Sequence, residues 1–190
     1  MKRVAVFGNS GAGKSTLARR LAELTGLPLY SLDLIQFRPG GDPVPHDEYL
    51  KVHAGILGRD AWIIDGFGCV PSAWQRFATA DTLIYPDLPM STQRWWVTKR
   101  FLKGLFANPE GWPDNSPLWS STLQCYRTLE LCERHMAPRY RQLMIDAAAT
   151  KQVHHLRSPG EIRRFLDAVA NKKGPPERAL SVFERRDQTE

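Results

Sequence analysis

Gly8-Asn9-Ser10-Gly11-Ala12-Gly13-Lys14-Ser15 places glycines, a lysine and a hydroxyl at the spacing G-x-x-x-x-G-K-S/T. That spacing suits the holding of phosphates. The glycines let backbone N–H groups close around phosphate oxygens, and a helix beginning at the end of the loop adds a positive dipole. Gly8, Ser10, Gly11, Ala12 and Gly13 then form the cradle. Lys14 reaches the β- and γ-phosphates, the Ser15 hydroxyl binds Mg²⁺, and Thr16 adds a contact to the α-phosphate. These residues describe a site for ATP or GTP. No N-K-x-D-type guanine signature can be placed, which leaves ATP as the default.

Two carboxylates complete the candidate chemistry. Asp65 follows the apolar run Trp62-Ile63-Ile64, where an acid at the end of a buried strand can organise the metal through its waters. Asp33 follows Leu27–Leu32 and can bind a substrate hydroxyl, accept its proton or hold metal waters. Each has a plainer reading, Asp65 as a turn residue before Gly66 and Asp33 as a helix cap. Cations cluster further on. Arg94, Lys99, Arg100 and Lys103 precede a proline-rich stretch, and Arg127, Arg134, Arg139 and Arg141 follow it. Arginines folded over a transferred phosphoryl group stabilise its spreading charge. Any single one of these reads more readily as a solvated surface charge, whereas two or more acting together fit the chemistry better. Arg127 and Arg134 are seven apart and can share a helix face, and the residues alone leave open which of the set act.

The elements that must position these groups follow from apolar periodicity. Arg3–Phe7, Leu27–Leu32, Ala61–Ile64, Thr82–Tyr85 and Val153–Leu156 read as short buried strands. Leu17, Leu21 and Leu24 keep helical spacing after the glycine loop, with Gly26 as the stop. Helices are expected over Asp47–Leu57, Ser72–Ala78, Ser91 to about Lys103, Ser121 to about Ala149 with a break near Pro138, and Ile162–Ala170. Strands alternating with helices imply an α/β fold, a mostly parallel sheet with helices on both faces. Ligands in such sheets bind at the carboxyl ends of strands, where the glycine loop, Asp33, Asp65 and the Asp87-Leu88-Pro89 turn all fall.

The stretch 104–120 has no clear period and holds several prolines, so it is expected to move over the site as a lid. Residues 1–171 are expected to form one domain, and 172–190 a polar, disordered tail. Trp112 or Trp119 could stack on a substrate base, and one of Trp95 and Trp96 should be exposed. His154 and His155 alternate in a strand, so one should be buried and the other exposed.

Composition bounds the rest. The chain has 190 residues with 42% hydrophobic, enough for one sizeable core. No apolar run approaches the roughly 20 residues of a membrane span, and the chain opens on a strand, so the expected compartment is the cytoplasm. Cys69, Cys125 and Cys132 form no C-x-x-C pair and are expected to be reduced thiols. The net charge of +6 fits either a site for polyanionic nucleotides or a nucleic-acid surface.

With these residues placed, the chain resembles the P-loop kinases of the adenylate-kinase-like group. Within that group it resembles most the bacterial topology modulation proteins, also described as adenylate-kinase-related kinases. The resemblance covers about residues 1–170. It rests on the glycine loop, on Tyr30-Ser31-Leu32-Asp33 with Phe37-Arg38-Pro39-Gly40, and on Trp62-Ile63-Ile64-Asp65-Gly66. Ala80–Tyr85 with Asp87-Leu88-Pro89, Lys99-Arg100 and Leu156-Arg157-Ser158-Pro159 complete it. It implies a three-layer P-loop fold with a five-stranded parallel sheet in the order 2-3-1-4-5 and a lid between strands 4 and 5. It also implies Mg-ATP as donor, with Arg100 among the lid arginines and Arg157 to Pro159 beside the adenine. Gly68-Cys69 stands where adenylate kinases carry a Pro-Arg that grips the acceptor nucleotide. The acid at Asp33 instead resembles that of kinases acting on hydroxyl acceptors. The expected activity is phosphoryl transfer from ATP to a small-molecule or nucleotide acceptor. The alternative is a nucleotide-dependent regulatory ATPase that binds nucleic acid or a protein.

Overall fold

The computed structural model describes residues 1–39, 41–104 and 118–172. Most of the expected lid and all but the first residue of the expected tail lie outside the described residues. Five strands form one parallel sheet: β1 (Arg3–Val6), β2 (Leu29–Ser31), β3 (Trp62–Asp65), β4 (Thr82–Pro86) and β5 (Gln152–Leu156). Their order is β2-β3-β1-β4-β5, as the resemblance implied. Every neighbouring pair is parallel.

The three central strands are apolar at nearly every position because helices cover both faces. Period-two alternation then divides their side chains. Val4 and Val6 point to one face with Ile63 and Ile84, and meet Leu17 and Leu21 of α1 (Lys14–Thr25) and Phe165 of α8 (Pro159–Lys172). Ala5 and Phe7 point to the other with Trp62, Ile64, Leu83 and Tyr85. There they meet α3 (His46–Leu57), α4 (Val70–Thr79) and α7 (Ala137–Ala147). Phe77 of α4 is 1% exposed, with ring centroids 4.4 Å from Phe7 and 6.0 Å from Tyr140. Phe77→Ala should therefore cost about 3–5 kcal/mol of stability, read as a lowered urea midpoint with an unchanged slope.

Three local departures from the periodicity have physical causes. Leu29–Ser31 alone pairs as β2, and the chain turns at once into the short helix α2 (Leu32–Gln36). Leu32 is wholly buried, so the turn tucks it into the core and leaves Asp33 in a helical first turn instead of at a strand end. The break near Pro138 falls between α6 (Leu118–His135) and α7. Pro138 takes a first-turn position of α7, where its missing N–H costs nothing. His154 and His155 are both half-buried, which corrects the expectation of one buried and one exposed. Both faces of β5 are covered: His154 packs on Phe165 and His155 on Tyr85.

Candidate active site

The glycine loop joins β1 to α1 and lies directly under α5 (Met90–Gly104). Gly11 and Gly13 hold φ of 70° and 76°, and a Cβ on either would meet α5 at 2.6 Å, at the Gln93 carbonyl and the Trp96 ring respectively. No other residue type fits this loop without displacing the helix above it. Lys14 Nζ donates to the Asn9 carbonyl at 2.8 Å, folding back over its own loop. Asn9 is itself buried. Its Nδ2 donates to the Leu129 carbonyl of α6 at 2.9 Å, while its Oδ1 accepts the Ser10 N–H at 2.8 Å. The glycine loop is thus tied to α6.

Asp65 closes β3 beside the loop and is 2% exposed. The Ser15 hydroxyl donates to it, and its Oδ1 has no hydrogen-bond partner. Burial pushes its carboxyl up, against the pull of Lys14 and Arg76. Asp33 faces the same centre from α2. Burial raises it, the Asp65 charge raises it further, and Lys14, Arg100 and Arg76 pull it down. Lys14, Asp33, Asp65 and Arg100 therefore share one electrostatic field. A carboxylate oxygen without a partner, beside a serine hydroxyl, is a hard-oxygen donor set suited to Mg²⁺ and its waters.

A cavity of about 630 Å³ opens from the loop between α1, α5 and α8. Lys14, Ser15, Thr16 and Arg100 line it, together with an apolar wall of Leu17, Trp96, Ile162 and Leu166. Its volume suits a nucleotide-sized ligand. Arg157 and Pro159 do not line it. Arg157 turns outward, where its backbone N–H donates to Glu161 at 2.8 Å and its guanidinium to His155 Nδ1 at 3.4 Å. With Nδ1 accepting, His155 Nε2–H donates to Asp87 at 2.9 Å.

The structure sorts the cation pool. Arg94 pairs with Glu130, Arg141 with Asp87 and Glu133, and Arg139 stacks on Trp74. Arg134 and Arg127 are exposed on α6 and do not line the cavity. Arg100, Lys99 and Lys103 do line it, with Arg20 of α1 opposite. Arg100 also donates to Cys125 Sγ at 3.2 Å. Trp95 is exposed as one of the pair had to be, and Trp119 is 74% exposed outside the cavity, while Trp112 lies outside the described residues. Sequence reasoning missed Trp96, Ile162, Leu166 and the buried Arg76. The helical phase of Val97 and Phe165 would have placed the first three near an inward face; nothing local marks Arg76.

Fold and loop together define the three-layer P-loop nucleotide-binding fold. A shikimate kinase from Acinetobacter baumannii, solved in complex with shikimate, shares it with a TM-score of 0.55 and 17% identity, over 89% of this chain and 90% of its own. A sugar kinase from Janibacter sp. gives a TM-score of 0.45 at 18% identity, over 91% of this chain and 92% of its own. No protein-family model and no curated protein matches the chain.

Proposed function

We propose that the chain is an ATP-dependent phosphotransferase acting on a small hydroxyl acceptor. The observation that carries this reading is the convergence of Asp33 and Asp65 on the centre that also receives Lys14 and Arg100. A site for nucleotide binding alone has no use for a second carboxylate kept in a desolvated position. The motif resemblance supports placing the chain beside the topology modulation proteins and adenylate-kinase-related kinases. The likeness of its fold to a shikimate kinase, a protein solved with a hydroxyl-bearing ligand, is consistent with an alcohol acceptor.

Each residue then has a task. The loop amides and Lys14 hold the β- and γ-phosphates of ATP, and Thr16 holds the α-phosphate. Ser15 would ligate Mg²⁺ directly and Asp65 through water, and the ion when bound offsets charge on the β- and γ-oxygens. Leu17, Ile162 and Leu166 offer the base an apolar wall, with Trp96 opposite the loop. Asp33 takes the proton from the acceptor hydroxyl as that oxygen bonds to the γ-phosphorus. The bond from that phosphorus to the β–γ bridging oxygen breaks, and ADP leaves with the electron pair. Arg100 steadies the charge that develops on the transferred oxygens. Arg134 would join it only if α6 moves toward the loop.

An acceptor panel with Mg-ATP tests the reading. Small alcohols, hydroxy acids, sugar phosphates, nucleosides and nucleoside monophosphates are offered, and ADP release is followed. At least one acceptor should raise ADP release tenfold or more over the acceptor-free rate. Slow hydrolysis that no acceptor stimulates, together with salt-sensitive DNA binding, would favour the regulatory ATPase.

A further inference from the structure

Arg76 of α4 is the largest charged side chain buried in the described residues, with no exposed surface at all. Its Nη2 donates to the Gly66 carbonyl at 2.9 Å, while Nε and Nη1 have no partner. Burial pulls the guanidinium down only to about 10, so it stays charged at neutral pH. Among the described residues no carboxylate lies within ion-pair distance of it. The guanidinium also lies 5.2 Å over the Phe77 ring, but a buried charge with one neutral carbonyl as its hydrogen-bond acceptor remains costly. Its field reaches the Asp65 and Asp33 carboxylates and several buried polar groups. The Tyr140 hydroxyl is buried and unpartnered, as are both ring nitrogens of the neutral His53, one a donor and one an acceptor, and the Tyr49 hydroxyl bonds Ser72 at 2.8 Å. A polar, positively charged centre with no carboxylate in ion-pair distance among the described residues has formed behind the turn that follows Asp65.

That centre adjoins the acceptor side of the site. Gly66 separates the two: a Cβ on it would stand 3.4 Å from Asp33 Oδ1, while its carbonyl receives Arg76. One peptide unit therefore lies between the candidate base and the buried cation. Gly66 and Gly68 hold φ of 109° and 71°, a backbone region that favours glycine, so no side chain of the turn stands between the two groups.

We propose that Arg76 is a specificity-determining anchor for an anionic group of the acceptor, so that the acceptor is a hydroxy acid or a phosphorylated alcohol. This rests on the phosphotransferase reading above. The hydroxyl is presented to Asp33, and the carboxylate or phosphate takes up the free guanidinium nitrogens as the Gly66 turn shifts. The anion supplies the direct hydrogen-bonded partner that Nε and Nη1 lack, and a neutral polyol or nucleoside brings no charge to them.

The test uses the full chain saturated with Mg-ADP, so that the phosphate loop is filled. Calorimetry then measures binding of inorganic phosphate and, separately, of glycerate, to wild type, Arg76→Lys, Arg76→Met and Asp33→Asn. Wild type should bind at least one of the two anions, and which one decides between phosphate and carboxylate. Arg76→Met should weaken that binding on the order of 10- to 100-fold, with Arg76→Lys between. Asp33→Asn should keep it. Phosphorylation of glycerol, glycerate and glycerol phosphate is compared in parallel, and any preference for the charged acceptors should collapse in Arg76→Met. Binding of neither anion by wild type, or equal binding by a folded Arg76→Lys and wild type, overturns the proposal. Circular dichroism identifies a variant that has not folded, and the wild-type measurement decides the matter without it. Anion binding that depends on Arg76, with no phosphorylation of any acceptor, would leave the anchor standing and sink the phosphotransferase reading.

Discussion

Lys14→Ala should lower ATP turnover about a thousandfold, the scale for removing a preorganised charge from a phosphoryl-transfer site. On the proposed reading, Lys14 is the cation that the glycine loop brings to the phosphates. In the structure its ammonium rests on the Asn9 carbonyl at 2.8 Å, a bond that nucleotide phosphates would replace without rebuilding the loop. That neutral contact is easily exchanged for a charged one, so the lysine's worth lies in the transition state and not in the fold. Stability should therefore change little, within about 0.5 kcal/mol. Single-turnover kinetics with a thermal melt separate the two effects. Turnover at the wild-type rate in a folded variant would remove the donor site from Gly8–Ser15. A large loss of stability would instead show that the contact holds the loop.

Asp33→Asn should lower kcat on the order of 10²- to 10⁴-fold while leaving ATP binding nearly intact, because general-base catalysis is worth that much and the amide cannot take the proton. Burial and the neighbouring Asp65 raise the Asp33 carboxyl above its ordinary value. The base is active only when ionised, so the wild-type rate should fall on the acid side at a pH above the ordinary carboxylate range. That limb should vanish from the residual rate of the variant. The stability effect has the opposite sign. A carboxyl whose folded pKa lies above its unfolded one stabilises most when protonated, and loses that contribution as pH rises through the folded value. At neutral pH the fold therefore carries an ionised Asp33 at a cost that asparagine removes. The variant should melt no lower than wild type despite its lost activity. A kcat within threefold of wild type on an accepted substrate would exclude Asp33 as the base.

Much of the site was legible because its signals are local. The glycine loop declares itself through residue types that a phosphate cradle requires at fixed spacing. Asp65 is legible because an acid directly after three apolar residues fits the end of a buried strand. Asp33 was found at the right edge for a partly different reason, since a helical turn and not a strand end presents it. The cations were not legible individually. Arg94, Arg100 and Arg134 look alike in sequence, and what separates them is whether Glu130, the cavity or solvent lies opposite. Arg76 was invisible for the same reason: on an amphipathic helix an arginine reads as a solvated charge until three other elements close over it.

The sequence by itself determined the chemistry on offer and the class of sheet that presents it. Loop spacing, strand periodicity and helix caps depend on neighbours along the chain, so they can be read without the fold. Only the tertiary structure decided which groups meet. It set α5 on the glycine loop, tied Asn9 to α6, brought Asp33 and Asp65 into one field, and left Arg76 buried with no carboxylate in ion-pair distance among the described residues. Those outcomes depend on which faces pack together across long separations, and burial then fixes the charge and the unmet hydrogen bonds of each group.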